Sequence, residues 1–478
     1  MKKLIFLLSL ICSFFISCKK QFIELIPVST VSVDVLYKTD KDFQDAVTGC
    51  YAGLQKQYQS FWLFGDLRSD VSRQEVISNI GNLTVDNFSM ASDASLLNNT
   101  WQNYYATIYA ANMILSRIAT ADTVIVKNKS RYTAEAEFIR ALCYFDLVRI
   151  FGAVPVVTAP VSIEQGYKTA RSGTDTVYSQ IIADLLDAGN KLPLKYTGTD
   201  VGRATKGAAK ALLGKVYLTK KDFTNAESKL QEVTTLGYSL LPNFKDLFDY
   251  TKDEHHSEYI FDIEYESGMN SGNSFTNTFL PNSAQMAAFY GIKGGLGEAN
   301  SPTDSVRAIY SSQDTRKDIT VGVKGGYVDG NGNFVPFLAT TAQDYTKKYI
   351  TVVPTANDGR ANWKVIRYAD VLLMYAEVLN ENGKTASALA WLNMVHTRAG
   401  LTAFSSLTQD DMREKIYLER RLELAFEGHR WFDLVRTGRA YSTMQSAGML
   451  PYMTLFPIPL IQIQIVNNPA VLSQNTGY

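Results

Sequence analysis

Cysteine and histidine are scarce in this chain, four of each among 478 residues. Cys12 and Cys18 fall in the N-terminal leader, so only Cys50 and Cys143 remain for the body of the protein. Both sit in apolar helical patterns, which fits buried thiols better than a disulfide framework or a metal pair. His255, His256, His396 and His429 show no H-E-x-x-H or comparable spacing, which removes the common zinc-hydrolase signature. The His255–His256 pair lies in a polar stretch and reads as a solvated loop. A charge of one sign is also missing: 47 basic residues balance 47 acidic ones. A near-neutral chain gives no electrostatic reason to expect nucleic acid or anionic lipid as a partner. After the leader, no apolar run reaches the roughly 18 residues of a membrane span.

What is present begins with that leader. Lys2 and Lys3 form a positive n-region, Leu4 to Ile16 is an apolar run diluted by Ser9, Cys12 and Ser13, and Ser17 precedes Cys18. The run is shorter than the roughly 20 residues needed to cross a bilayer. It fits the h-region of a signal peptide occupying residues 1–17. A cysteine directly after a small residue resembles a bacterial lipobox, with Phe15 where Leu is usual; the alternative is an ordinary signal peptide with a stray cysteine. On the lipobox reading Cys18 is acylated and becomes the new N-terminus, and more than one acyl chain makes such an anchor stable.

Aromatics are plentiful, with 27 Tyr, 24 Phe and 5 Trp. Many belong to the core, and the rest are raw material for stacking on sugar rings. Apolar residues recur at helical spacing over Asp40–Gln57, Leu97–Ile118 and Tyr132–Phe151. An internal repeat follows. Gly214, Tyr217, Ala226 and Leu230 in Thr205–Thr235 have the same spacing as Ala376, Leu379, Ala388 and Leu392 in the unit beginning near Tyr368. This is tetratricopeptide-like spacing, with small residues where paired helices approach closely. Arg140–Arg149 opens a third unit whose second helix is delayed to about Asp175–Leu192, and Asp410–Phe426 with Trp431–Val435 makes a fourth. Such pairs bury their faces by stacking. The predicted fold is mostly α: tetratricopeptide-like helix pairs forming a scaffold, with long irregular loops and a few short β-strands. Ser60–Asp93 and Glu264–Thr355 are irregular and rich in Gly, Asn, Ser and Asp. The second is too long for a plain connector, with short strands expected at Phe334–Ala339 and Lys348–Val353.

Several blocks carry a resemblance. Arg140–Gly152 reads R-A-L-C-Y-F-D-L-V-R-I-F-G, followed by V-P. Arg203–Leu218 reads R-A-T-K-G-A-A-K-A-L-L-G-K-V-Y-L, and Arg367–Glu381 reads R-Y-A-D-V-L-L-M-Y-A-E-V-L-N-E. Glu419–Gly438 reads E-R-R-L-E-L-A-F-E-G-H-R-W-F-D-L-V-R-T-G, and the chain closes with F-P-I-P, N-P and Q-N-T-G-Y. Together they resemble the SusD/RagB family of Bacteroidota nutrient-binding lipoproteins. The departures are His396 where Arg is frequent, Thr476 where Pro is usual, and Lys19–Lys20 where acidic residues often follow the lipidated cysteine. The resemblance implies a lipid-anchored protein of the cell outer membrane, facing outwards. It implies an oligosaccharide ligand and a SusC-type TonB-dependent transporter as partner. Residues 18–240 then form an N-terminal region with helix pairs, and 241–478 a C-terminal region holding the insertion at about 264–355.

Glu419, Glu423 and Glu427 tempt a glycosidase reading, since paired carboxylates hydrolyse glycosidic bonds. Arg420, Arg421, Arg430 and Arg436 interleave with them, however, and the expectation is an ion-pair ladder along one helix with the acids ionised. No catalytic residue is assigned. Sugar recognition needs flat aromatic faces and polar side chains for hydroxyls. The candidate ligand residues are Trp62, Asp70, Arg73, Asn98, Asn99, Tyr265, Asn270, Phe275 and Tyr290, with Asp66–Asp70 equally readable as a structural turn network and Trp101 and Tyr105 as core. No cofactor is required beyond the lipid. Asp and Asn in the loops leave room for calcium, without EF-hand spacing. Rival readings are peptide cargo on the same architecture, a periplasmic helical-repeat scaffold, and a lipid-anchored glycosidase.

Overall fold

The computed structural model describes residues 36–76, 79–269, 271–337 and 344–478. The signal peptide, Cys18 and Asn270 lie outside the described residues.

Helices form where the apolar spacing and caps dictate. Asp40–Tyr58 starts at Thr39: the Thr39 hydroxyl accepts the Asp42 N–H, and the Asp42 carboxylate accepts the Thr39 N–H. Phe43, Val47, Cys50 and Leu54 then line one buried face. That helix packs on Ser95–Ala119, which packs on Lys129–Phe151, then Thr174–Lys191, then Lys206–Thr219 with its partner Phe223–Thr234. Phe223–Thr234 packs on Tyr368–Glu381, which contacts Thr385–Arg398 and Gln409–Glu423. The helices therefore stack in chain order, and the repeat read from spacing is a pair of helix hairpins. Gly214 shows why a small residue recurs: a Cβ there would stand 2.6 Å from Leu230 Cδ2.

Lys129–Phe151 is buried along most of its length, and its polar residues tie the stack together. Arg140 donates to the Asp184 carboxylate at 2.8 and 2.7 Å and to Asn112 Oδ1 at 2.7 Å. Asp146 accepts the hydroxyls of Tyr58 and Tyr104, each at 2.9 Å. Cys50 and Cys143 are free, buried thiols. Burial, with Glu135 nearby, pushes the Cys50 thiol up to about 12.

Four two-stranded antiparallel pairs occur among the described residues. Tyr259–Ile263 pairs with Trp363–Arg367 and so closes the neck of the long insertion. Ser72–Arg73 pairs with Ser301–Pro302, Val154–Pro155 with Arg171–Ser172, and Gly326–Val328 with Phe334–Pro336. The strand expected at Phe334 is present. Lys348–Val353 is not a strand: its one ladder contact is a parallel bridge between Val353 and Ile292. Its groups turn to other partners instead, Lys348 Nζ to Glu427 and the Tyr349 carbonyl to Thr276.

The principal core runs from Phe43 to Leu472 and draws on both halves of the chain. A separate cluster of Leu280, Met286, Ile292, Tyr327, Phe337, Tyr345 and Val353 belongs to the insertion. The tail is packed as its motifs imply. Gln474 exchanges hydrogen bonds with the Ile458 backbone at 2.7 and 2.9 Å, and Asn475 Nδ2 donates to the Phe456 carbonyl at 2.7 Å.

The Glu419–Glu427 block corrects the expected ladder. The helix ends at Glu423, and Phe426 and Gly428 turn through positive φ. The acids pair across the fold with residues distant in sequence. Arg367 meets Glu258 at 2.9 Å, Glu423 at 2.6 Å and Glu427 at 2.7 Å, and Arg316 meets Glu419 at 2.6 Å and Glu423 at 2.9 Å. Lys348 meets Glu427 at 2.7 Å, and Arg398 bonds Glu258 and Glu423. The sequence-adjacent arginines serve other acids: Arg420 bonds Asp370, Arg421 and Arg430 bond Asp70, and Arg436 bonds Glu377. Burial opposes ionisation of Glu427, but Arg367 and Lys348 outweigh it and hold its carboxyl down to about 2. His396 joins the network through Glu419, 2.8 Å away.

Candidate functional site

The strand pair Ser72–Arg73 with Ser301–Pro302 brings the first irregular loop onto the insertion. Arg73 is the bridging side chain. It bonds Glu75 on its own loop and reaches Asp304 at 3.5 Å, and Asp304 accepts from Lys324 at 3.3 Å. Beside it, Asn82 donates to Gln74 Oε1 at 2.8 Å, and the Gln74 N–H donates to Asp86 at 2.9 Å. Asp304, Lys324 and Asn82 thus supply charge and amide groups at one rim.

Lys324 leads into the Gly326–Val328 strand, which carries Tyr327. Phe289 and Tyr290, at the end of the Ala284–Tyr290 helix, stand with ring centroids 5.0 and 6.5 Å from Tyr327 and 4.8 Å from each other. Gly326 leaves room for Phe334, whose ring would lie 2.5 Å from a Cβ at that position. Phe289 is 42 % exposed and Phe334 51 % exposed. Tyr327, 6 % exposed, belongs to the insertion's small core and backs Phe289 and Tyr290, and Phe289 and Phe334 are the rings left in water. Burial, with Asp318 and Tyr327 nearby, pushes the Tyr290 hydroxyl up to about 12. Hydroxyl-bearing rings with apolar C–H faces suit such a surface.

Of the residues singled out from sequence, Arg73 and Tyr290 belong to this region. Asp70 is committed to structure: Arg430 grips its carboxylate at 2.7 and 3.0 Å, and Arg421 approaches at 2.9 Å. Burial opposes its ionisation, but these arginines hold the carboxyl below its usual range. Three assignments are corrected. Trp62, 4 % exposed, packs edge-on against Phe279. Tyr265, 2 % exposed, donates its hydroxyl to the Gln55 carbonyl at 2.8 Å. Phe275 is fully buried among Phe279, Tyr349 and Trp363. These rings are spent on each other and present no face to a ligand. Asn98 accepts from Gln462 at 2.9 Å and Asn99 is exposed on the same helix, at some remove in sequence from the insertion. Gln462 also lines an apolar groove of about 510 Å³ with Trp101, Tyr105, Tyr109 and Tyr167.

Sequence reasoning did not single out Tyr327, Asp304 or Lys324, which the structure brings to this region. A tyrosine after two glycines in a hairpin was the available signal for Tyr327; the two charged residues gave none. Of the histidine pair, His255 is exposed and bonds Glu264 at 2.7 Å, whereas His256 is part-buried, and burial with Lys364 nearby holds it down to about 3. Among the described residues no three His, Cys, Asp or Glu side chains group as metal ligands.

Stacked helix pairs carrying a loop-built surface with exposed aromatic rings define a helical-repeat scaffold. Comparison with known proteins names the kind. Residues 244–454 match the model of the SusD family, and residues 24–218 match a model described as "Starch-binding associating with outer membrane". SusD-like protein P2 of Formosa agariphila is 30 % identical, with 95 % of each chain covered. SusD-like protein P25 of the same organism is 29 % identical over 97 % of each. A solved laminarin binding SusD-like protein is 28 % identical with a TM-score of 0.79, covering 92 % of this chain and all of that one. The chain belongs to the SusD family.

Proposed function

We propose that this protein is a glycan-binding lipoprotein of the outer-membrane surface. In this reading Cys18 carries the lipid, the helix stack is a rigid frame, and the insertion grips oligosaccharide for release to a SusC-type TonB-dependent transporter. The observation that carries it is the Phe289–Tyr290–Tyr327 cluster beside the Arg73–Asp304–Lys324 array. The similarity to a laminarin binding relative supports a β-glucan as the first ligand to try. No catalysis is assigned: the acids that suggested it are buried and paired with arginine and lysine, and hydrolysis would need an accessible carboxyl of raised pKa.

Isothermal titration against laminarin, starch and oligopeptides tests the cargo. Heat with a glycan, reduced in Phe289→Ala, is the expected result; heat with peptides alone overturns it. Protease shaving of intact cells tests exposure, and co-purification tests the transporter partnership.

A further inference from the structure

Two further cavities, of about 350 and 500 Å³, meet at the turn Val201–Gly202–Arg203, which lines both. Tyr51, Gln55, Asp262 and Glu264 line the first; Tyr196, Tyr238, His255, His256 and Tyr259 line the second. The wall between them is thin. Gly202 has φ +96° and faces Glu264 so closely that a Cβ would stand 2.5 Å from Oε2. The same carboxylate accepts the Tyr259 hydroxyl at 3.0 Å and meets His255 Nε2 at 2.7 Å. Arg203 is fixed by Thr48 at 2.8 Å, Asp200 at 2.9 Å and Glu135 at 3.1 Å. The site is therefore held in place without a ligand.

Two buried polar atoms of the second cavity's residues have no hydrogen-bond partner among the described residues: the Tyr196 hydroxyl and His256 Nε2. His256 Nδ1 accepts the Glu258 N–H at 3.1 Å, which leaves the ring proton on Nε2 as an unmet donor. Both atoms lie beneath the cavity surface, and a ligand there satisfies them by drawing out the Tyr196 hydroxyl or by ordering a water against them. The volumes fall in the usual range for small-molecule sites. Tyrosine faces suit the C–H side of a sugar ring, while Gln55, Glu264, Thr199 and Thr205 suit its hydroxyls. Arg203 is paired with Glu135 and Asp200, Asp262 with Lys364, and Glu264 faces His255, so the lining carries little unpaired charge and favours a neutral ligand.

We propose that these cavities form a second saccharide site, seating a short oligosaccharide across the Gly202–Arg203 wall. The proposal rests on the reading of this chain as a glycan binder. It makes the protein bivalent, so one glycan chain could be held at two places with raised avidity.

Hydrogen–deuterium exchange on protein beginning at residue 19 tests it, with laminarihexaose, maltohexaose, xylohexaose and mannohexaose as probes at millimolar concentration. The expected result is protection of residues 194–205 and 255–264 by at least one probe, retained in Phe289→Ala. In that variant Tyr196→Phe, which removes only the hydroxyl, should weaken binding by about fivefold. Protection confined to the insertion overturns the second site and leaves the first intact. Protection at the wall that vanishes in Phe289→Ala, or an affinity unmoved by Tyr196→Phe, also overturns it. No protection anywhere by any probe sinks both readings together.

Discussion

The Glu419–Arg436 block and the Glu264–Thr355 insertion spend their side chains in opposite directions. The block turns charge inward: Glu423 and Glu427 are buried and each meets cations from other elements. The insertion turns aromatics outward, with Phe289 and Phe334 exposed over a small core of its own. The frame is held by groups costly to separate, and the proposed ligand surface leaves apolar rings in water. Conspicuous motifs therefore mark the frame, and inconspicuous loops carry the proposed ligand surface.

The contrast breaks most sharply at Glu423. Glu423→Gln removes one charge from among Arg316, Arg367 and Arg398, and should cost about 3–5 kcal/mol in urea unfolding. A loss below about 1 kcal/mol would place the network's contribution elsewhere.

A pH series separates two buried acids within the frame. Arg367 and Lys348 overcome the burial of Glu427 and depress its folded pKa to about 2. Its contribution is complete above the ordinary carboxylate pKa of about 4.3 and is lost as pH falls towards 2. Burial pushes Asp66 up to about 8. That group binds a proton more tightly folded than unfolded, so stability declines as pH rises from about 4 to 8. Asp66→Asn should flatten that decline in thermal melts at several pH values; an unchanged slope would show that Asp66 titrates normally.

Gly214→Ala sharpens the comparison within the scaffold. The added methyl meets Leu230, and a cost of about 1–3 kcal/mol in the same unfolding assay is expected. Phe289→Ala should be the mildest, shifting stability by less than about 1 kcal/mol while removing the part of the glycan heat that comes from the insertion. A large stability loss there would make Phe289 a packing residue and remove the contrast.

The sequence foretold the frame, and three of its candidate ligand residues proved to be buried, for physical reasons. Helix period is local, so Asp40–Tyr58, Lys129–Phe151 and the two hairpins were legible from apolar spacing and small residues. Pairing across the fold is not local. Nothing near Arg367 in sequence announces Glu258 and Glu427, and nothing near Tyr259 announces its strand partner across the whole insertion. Trp62, Tyr265 and Phe275 were misjudged because an aromatic ring suits a sugar and a core equally well, and only burial separates the two uses.

Arg316 lies within the insertion, where Asp314 holds it, yet it bonds Glu419 and Glu423 in the frame. It works as a rivet through which a replaceable cartridge is fixed to a chassis. Substitutions in the hairpin and around Phe289 can retune what is held without re-solving the electrostatics beneath. Lys348, which meets Glu427, is a second such fastening, so diversity among descendants of this chain should pile up on either side of these positions and stop at them.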